Sequence, residues 1–375
     1  MFGKSFSLLK LFGFEVKLDL SWLILGVLIT WTLAQGVFPI YYEDFSPATY
    51  WTMGAAGAVG LLFSIVFHEL WHSLIARRFG LPMMGITLFI FGGVAEMTEE
   101  PPSPKAEFFM AVAGPISSIV LSVILFSIWF ILGGIGFSPA VLGVINYLAF
   151  INIILAGFNL LPAFPLDGGR MLRSVLWGLK GNLKWATQIA SKIGSGFGVA
   201  LMLFGVFSFI LGNVIGGVWM FVIGMFLRGA SQSSYQQLLI RRSLEGEPVK
   251  RFMISNPITV PPSLSLEDLI EDYIYKHHFK MYPVTEGDKL VGCVTINQVK
   301  EIPKEERGGH TVGQIAKACS DVNTISPEED SVKALSVMRK NNVSRLMVVD
   351  DGKLAGVIAL KDIMEMLSMK IDLEE

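Results

Sequence analysis

The chain has few charged residues: only 17% of its 375 positions are Asp, Glu, Lys or Arg, against about 25% in soluble proteins. Its formal net charge is −2, so it supplies no basic surface that would attract nucleic acid. It also has only two cysteines, Cys293 and Cys319, which form no disulfide framework and are predicted to be reduced thiols. These shortages argue against a nucleic-acid binder and against an ordinary soluble globular protein.

Hydrophobic residues, in contrast, are abundant and unevenly distributed. They make up 52% of the chain, and the mean hydropathy is +0.55. Residues 1–230 carry 12 basic and 10 acidic side chains, whereas residues 231–375 carry 18 and 22. The composition therefore predicts a membrane domain at 1–230, a linker at 231–250 and a soluble domain at 251–375.

Six apolar stretches are long enough to cross a bilayer, which takes about 20 residues. They lie at about 20–40, 52–76, 106–132 and 139–161, and in a run at 193–228 that Gly212-Asn213 and Gly216-Gly217 divide in two.

The segment between the second and third stretches, residues 81–97, is apolar but too short to cross a membrane and is broken by glycines. It is predicted to be a small membrane-associated β-hairpin. Lys and Arg cluster before span one and after spans two, four and six. By the positive-inside rule, we expect a multi-pass protein of the cell membrane with both termini cytoplasmic.

The segment HELWH, residues 68–72, contains the groups of a hydrolytic metal site. His68 and His72 are four residues apart, so on a helix both imidazoles lie on one face and can bind one metal ion. Glu69 stands beside them, where it can polarise a water molecule. In a chain with 5 His, such a motif is expected by chance only about 0.004 times. A metal site is therefore favoured over histidines that are merely core polar groups.

A third ligand is expected from NLLPAFPLDGGR, residues 159–170, directly after the fourth apolar stretch. Its Asp167 is the only acidic residue between positions 108 and 244. Two prolines interrupt the helix there, and two glycines let the backbone turn tightly and approach other groups closely. Asp167 is predicted to be a metal ligand or an ion-pair partner, with an N-cap of the next helix as the alternative.

The soluble tail contains an internal repeat with a spacing of about 64 residues. Residues 260–299 align with residues 325–363, and each copy has the order turn, amphipathic helix, strand, acidic turn, strand and helix. The two units, at about 251–305 and 312–370, are predicted to pack as one pseudo-symmetric domain.

HELWH together with NLLPAFPLDGGR resembles the site-2 protease family of intramembrane zinc metalloproteases, and the resemblance extends over residues 1–230. The tandem repeat resembles cystathionine-β-synthase-type (CBS) domains, which a subgroup of these proteases carries at the cytosolic C-terminus. The resemblance implies a polytopic α-helical membrane protein with about six transmembrane helices and a small β-hairpin, followed by a cytosolic α+β CBS pair.

The same resemblance implies one zinc ion per chain, bound by His68, His72 and Asp167, with Glu69 as the general base. Asn159 matches the family's Asn ahead of the Pro and Asp-Gly-Gly, and would hold the substrate backbone near the metal. For Asn152, seven residues earlier, two roles are open: lining the same cavity or packing between helices.

One departure from the family lies in the third span. Members often have an Asn shortly after Ala-Gly-Pro, whereas this chain has Ile116-Ser117-Ser118. The departure concerns the polar groups that line this span and leaves the predicted metal ligands unchanged.

Each CBS repeat keeps half of the family's nucleotide-binding pattern, which is Gly, two apolar residues, Thr or Ser, two residues and Asp. The first repeat has Thr295 but Gln298 in place of the Asp, and the second has Asp362 but Ala359 in place of the hydroxyl. Binding of ATP, ADP or AMP is therefore a hypothesis, and a structural or dimerising module is its alternative. Such pairs often associate face to face, so a homodimer through the CBS domains is also expected.

The implied function is that of an intramembrane zinc metalloendopeptidase. It would cut transmembrane segments of single-span membrane proteins in the lipid bilayer, as in regulated intramembrane proteolysis, under control of adenine nucleotide. A CBS-regulated membrane transporter or channel is the alternative. It explains the tail and the intramembrane charges but not the order His, Glu, His and Asp. An inactive relative is a third hypothesis, which the presence of all ligands and the base argues against.

Overall fold

The computed structural model of this chain describes residues 5–81, 83–90, 92–97, 100–287 and 289–374. The side chains at 5, 83–84, 94–97, 367–368 and 370–374 are not included in this description. The predicted hairpin at 81–97 therefore lies outside the described residues at positions 82 and 91. The chain forms two compact units, residues 1–237 and 238–375.

Six helices of the described chain are long and apolar enough to cross a membrane, as predicted. They are α1 (Leu20–Tyr41), α2 (Pro47–Arg78), α3 (Pro104–Gly134), α4 (Pro139–Asn159), α6 (Leu183–Ile210) and α7 (Val214–Leu244). A shorter helix, α5 (Asp167–Lys180), lies between α4 and α6.

The last two spans are separated where the first predicted glycine break lies. Gly212 has a φ of +91°, and α7 begins at Val214, so the second glycine pair lies inside α7. Helix α6 begins ten residues before the apolar run at 193–228. The Asn182 side chain accepts a hydrogen bond from the backbone of Trp185 and so caps the polar first turn of α6.

A four-stranded sheet accompanies these helices, with the strand order β1-β2-β3-β4. Its strands are β1 (Ser5–Leu11), β2 (Phe14–Asp19), β3 (Met83–Phe89) and β4 (Gly92–Met97). The predicted hairpin is confirmed as β3 and β4, which pair antiparallel, while β2 pairs parallel with β3. Strands β1 and β2 are additional to the predicted fold. A signal for β2 was present, because residues 14–19 (FEVKLD) alternate apolar and charged side chains as a strand does.

One face of this sheet packs on the helices. Phe14, Val16 and Leu18 of β2 are buried there together with residues of β3, α1 and α2; the buried partners are Trp22, Ile65, Val66, Leu70, Ile86 and Leu88. This packing places the sheet against the end of α2 that carries the HELWH motif.

The second unit confirms the internal repeat. Its seven-stranded sheet comprises β5 (Ile254–Ser255), β6 (Met281–Glu286), β7 (Lys289–Thr295), β8 (Lys317–Ala318), β9 (Thr324–Ile325), β10 (Arg345–Asp350) and β11 (Lys353–Ala359). The helices are α8 (Leu266–Asp268), α9 (Tyr275–His277), α10 (Ile296–Glu301), α11 (Val312–Ile315), α12 (Ser331–Lys340) and α13 (Leu360–Glu374). A π-helical segment, Leu269–Ile274, joins α8 to α9, and 3-10 turns lie at Val249–Arg251 and Lys304–Gly309.

The antiparallel hairpins β6–β7 and β10–β11 occupy equivalent positions 64 residues apart. Both hairpins have a register shift at the same place, after Val284 in one and after Val348 in the other. The unit also contains two hydrophobic clusters, one that includes Tyr282 and Val284 of β6 and one that includes Leu346 and Val348 of β10.

Candidate metal centre

The two histidines of HELWH lie near the end of α2 and face into the protein. His68 and His72 are 3% and 4% exposed, and their ring centroids are 4.9 Å apart, as expected for residues one helical turn apart. The Nε2 atom of each ring lies 3.1 Å from Oδ2 of Asp167. The structure therefore brings together the three side chains predicted to bind the metal, with ligand atoms within 4.8 Å of one another.

Asp167 reaches the histidines because the chain reverses direction between α4 and α5. A Cβ atom at Gly168 would contact the carbonyl oxygens of Leu160 and Leu161, and one at Gly169 would contact the backbone of Phe164. Only glycine fits at these two positions, since the first turn of α5 packs directly on the preceding loop. Asp167 is the first residue of α5, and its carboxylate contacts the imidazoles instead of capping the helix.

The donor set fits zinc. Imidazole nitrogen and carboxylate oxygen are usual zinc ligands, and three protein ligands with a free fourth position are typical of catalytic zinc sites. Gly114 of α3 borders the point where the ligands converge. A Cβ atom at this glycine would contact the Nε2 atoms of both His68 and His72, so its absence leaves room for an ion.

Helix α3 also orients both imidazoles through their second ring nitrogens. Nδ1 of His72 lies 2.6 Å from the carbonyl oxygen of Met110. It must therefore carry the proton, which leaves the lone pair of Nε2 available to a metal. Nδ1 of His68 lies 2.9 Å from the hydroxyl of Ser118. Sequence reasoning did not assign these two partners; the only signal was the Ser117-Ser118 departure in the third span.

Glu69, the predicted general base, is half-buried on α2 next to His68. A Cβ atom at Gly93 of β4 would contact Cγ of Glu69. The carboxylate side chain therefore lies directly against β4, the terminal strand of the sheet. In this position the predicted base lies against the strand that ends the described sheet order.

Comparison with known proteins decides the family. The profile of Peptidase family M50 matches residues 56–143 and 138–205, and the CBS domain profile matches residues 249–304 and 312–369. A zinc metalloprotease of Methanocaldococcus jannaschii is 30% identical over 99% of this chain and 98% of its own length. Rip3 of Mycobacterium tuberculosis is 33% identical over 96% of this chain and 92% of its own length.

The chain belongs to the site-2 protease family. It is a zinc metalloprotease with a tandem CBS domain, and six helices of its described residues are apolar enough to cross a membrane. Among solved structures, the site-2 protease from Methanocaldococcus jannaschii is 29% identical, with a TM-score of 0.44 over 61% of this chain and 94% of that one.

The two asparagines predicted to bind substrate in this protease have different surroundings. Asn159 is the last residue of α4, is half-buried, and donates a hydrogen bond from Nδ2 to the carbonyl of Leu155 at 2.9 Å. Asn152 is fully buried and donates to the Ser64 hydroxyl of α2 at 2.9 Å. The contacts of Asn152 are those of the helix-packing alternative, and a substrate contact by either residue stays a prediction.

A buried ion pair connects α3 with α5 in this protease. Arg173 donates from Nε to Oε1 of Glu107 at 2.6 Å, and Glu107 is fully buried. The guanidinium group also lies 3.5 Å from the carboxylate of Glu100 and 5.2 Å above the ring of Phe164. Because α5 begins with Asp167, this pair fixes the helix that presents the third ligand.

The residues predicted to bind nucleotide lie at the start of the helix that follows each hairpin, but at different positions of the pattern. Thr295 caps α10, and its hydroxyl lies 2.7 Å from Oε1 of Gln298 in a capping box. Asp362 is half-buried in the first turn of α13. Gln298, which replaces the family's Asp, thus has a structural role as the capping partner of Thr295.

Proposed function

We propose that this protein cleaves single-span membrane proteins within or beside their transmembrane segments. The supporting observation is the placement of two of its three ligands, His68 and His72, on α2, a helix that is apolar enough to span a bilayer. His72 lies six residues before the end of α2 at Arg78, which is about 9 Å along the helix. Arg77 and Arg78 are expected at the membrane surface, so the site lies below that surface.

The side chains of the site support peptide hydrolysis. A zinc ion held by His68, His72 and Asp167 would acidify a water molecule and polarise the scissile carbonyl. Glu69 accepts the proton of the attacking water and delivers it to the leaving amine. Burial of the ligands strengthens the electrostatic interactions at the reacting atoms.

Substrate presentation requires local unwinding, because a helix uses its amides in its own hydrogen bonds. In lipid, the freed amides need new partners. Strand β4 ends the sheet beside Glu69, and it offers such partners by β-augmentation, with the side chain of Asn159 supplying an amide. A simple plug over the bundle is the alternative role of the hairpin.

The hairpin hypothesis can be tested with Ile90→Pro combined with Gly92→Pro, which disturbs the start of β4. We expect reduced cleavage with zinc content unchanged. Unchanged cleavage would show that β4 does not bind substrate and would favour the plug.

We further propose that the CBS pair regulates cleavage in response to adenine nucleotide. The support is the presence of two CBS repeats, of which the first keeps the hydroxyl of the pattern at Thr295 and the second keeps the acid at Asp362. Cleavage rates should depend on ATP, ADP or AMP, and Asp362→Ala should weaken that dependence. Cleavage rates that stay constant over physiological nucleotide concentrations would contradict this proposal and favour the alternative, that the CBS pair is a structural or dimerising module.

In the cell we place the protein in the cell membrane with both termini in the cytoplasm, since Lys and Arg lie at the corresponding ends of the spans. The CBS domains would then be cytosolic and available to nucleotide. A homodimer through these domains is part of the same proposal, and cross-linking in native membranes would test it.

The main experiment reconstitutes the purified protein in vesicles with a panel of single-span membrane proteins. Glu69→Gln is the matched control, and zinc is measured in both proteins. We expect cleavage by the wild type and none by Glu69→Gln that still contains zinc. If neither protein holds stoichiometric metal after metal-replete preparation, the proposal is wrong and the transporter alternative regains support.

A further inference from the structure

The outer strand of the membrane-side sheet extends an apolar face beyond the helices. Partners in an antiparallel pair project from the same face of a sheet. Strand β1 therefore continues the face with which β2 packs on α1 and α2, through the pairs Phe6–Leu18, Leu9–Val16 and Leu11–Phe14.

The two halves of this face differ sharply in exposure. Val16 and Leu18 on β2 are 1% and 9% exposed, whereas their partners Leu9 and Phe6 on β1 are 42% and 57% exposed. The turn that follows β1 exposes a further aromatic residue, Phe12, at 66%. Among the described residues, the helices therefore cover the β2 half of the apolar face and leave most of the β1 half open.

The opposite face of the same hairpin is polar. Ser7 pairs with Lys17, and Lys10 pairs with Glu15. The ammonium group of Lys17 also lies 3.6 Å from the Glu15 carboxylate. The hairpin is thus amphipathic with the period of two expected for a strand that has a different environment on each side.

Both ends of the hairpin are attached where helices meet the membrane surface. Phe6 lies opposite Leu18, two residues before span α1 begins at Leu20. At the other end, Nη1 of Arg77, in the last turn of α2, donates to the carbonyl oxygen of Phe12 at 2.7 Å. These attachments place β1 at the level where α1 enters the bilayer and α2 leaves it.

The groups found at the membrane surface indicate which partner covers the exposed apolar face of β1. On α1, which begins two residues after Leu18, the partner of Phe6, the side chains of Leu23, Ile24 and Val27 are 49–70% exposed and must contact lipid. Among the described residues β1 is the outer strand of the sheet, and its outward backbone groups need water or headgroups, so it cannot lie in the hydrocarbon core. Lys10 and Arg77 supply the positive charge that anionic headgroups attract.

We infer that β1 is a lipid-binding strand: its face with Phe6 and Leu9 rests on the acyl chains of one leaflet, at the interface, while its face with Ser7 points away from the bilayer. The partner is a lipid surface and not a second copy of the chain. The bound strand fixes the depth of the sheet and hence of β4 beside Glu69.

The test places a fluorescent label on either face of the strand. In a background with Cys293→Ser and Cys319→Ser, single cysteines at Leu9 and Ser7 carry an NBD group, and Val27→Cys is the lipid-exposed reference. The full-length proteins are reconstituted in vesicles of phosphatidylcholine and phosphatidylglycerol with brominated acyl chains. Zinc content verifies that each labelled variant is folded.

We expect the label at Leu9 to be quenched by brominated lipid about threefold more strongly than the label at Ser7 and to approach the reference at Val27. Aqueous iodide should give the opposite order for Leu9 and Ser7. Equal quenching of Leu9 and Ser7 by lipid overturns the proposal. A label at Leu9 shielded from both quenchers also overturns it and indicates contact with a second copy.

Discussion

The imidazole of His68 on α2 is oriented by Ser118 on α3: its Nδ1 atom lies 2.9 Å from the serine hydroxyl. Ser118 is fully buried, so no water competes for this contact. Together with the Met110 carbonyl, which accepts from His72 at 2.6 Å, it makes α3 the support for both histidine ligands. The geometry of the metal centre thus depends on helix packing as much as on the HELWH motif itself.

Replacing Ser118 with alanine should weaken zinc binding without removing a ligand. Loss of a hydrogen bond to a metal-binding histidine typically lowers metal affinity about 10–100-fold. Competition with a chromophoric chelator measures this change. Ser122→Ala is the matched control, because the Ser122 hydroxyl is equally buried but donates to the Ala149 carbonyl at 2.6 Å. If both variants bind zinc like the wild type, Ser118 does not orient His68.

Gly114→Ala should remove the space for the ion. The added methyl group would contact Nε2 of His68 and of His72, so we expect loss of stoichiometric zinc and of proteolysis. Gly133→Ala on the same helix is the control, since a Cβ atom there meets nothing within 4 Å. Full zinc occupancy in Gly114→Ala, measured by atomic absorption, would contradict the position inferred for the metal.

Arg173→Met should destabilise the protein, because it leaves the Glu107 carboxylate buried without its partner. Breaking a buried ion pair from one side costs roughly 3–5 kcal/mol, whereas replacing both partners by apolar residues is often neutral. The double variant Glu107→Leu with Arg173→Met should therefore recover most of the lost stability. Denaturant unfolding in detergent micelles compares the three proteins. A double variant as unstable as Arg173→Met would contradict this explanation.

The two thiols of the CBS unit should react at different rates. Cys319 is exposed, whereas Cys293 is buried in strand β7, and burial raises the pKa of the Cys293 thiol. The pKa of the Cys319 thiol is raised as well, so the difference in rate comes from exposure, and we expect a disulfide reagent at pH 8 to modify Cys319 quickly and Cys293 slowly. Both should react in denaturant. Equal rates in the native protein, assigned by mass spectrometry of the peptides, would contradict the burial of Cys293.

The predictable parts of the structure are those encoded by local patterns. The spacing of His68 and His72 places both on one helical face, and proline and glycine around Asp167 mark a broken helix, so each half of the site is visible in a short segment. The contacts of Ser118 and Gly114 depend on how α3 packs on α2. The hydrophobic periodicity of either segment alone does not determine this packing. Strand β2 shows a local alternation, but its parallel pairing with β3 joins segments about 70 residues apart.

Gly93→Ala should slow cleavage while leaving the metal in place. The added methyl group would contact Cγ of Glu69, and the three atoms nearest to it all belong to this side chain, so we expect it to displace the carboxylate and not the ligands. A misplacement of about 1 Å of a catalytic group can cost on the order of 10²-fold in rate. We therefore expect a large decrease in kcat at unchanged zinc content, with Gly133→Ala again as the control. Loss of zinc from Gly93→Ala would instead show that the substitution distorts the ligands. A normal kcat would show that catalysis does not depend on the position that Glu69 takes against Gly93.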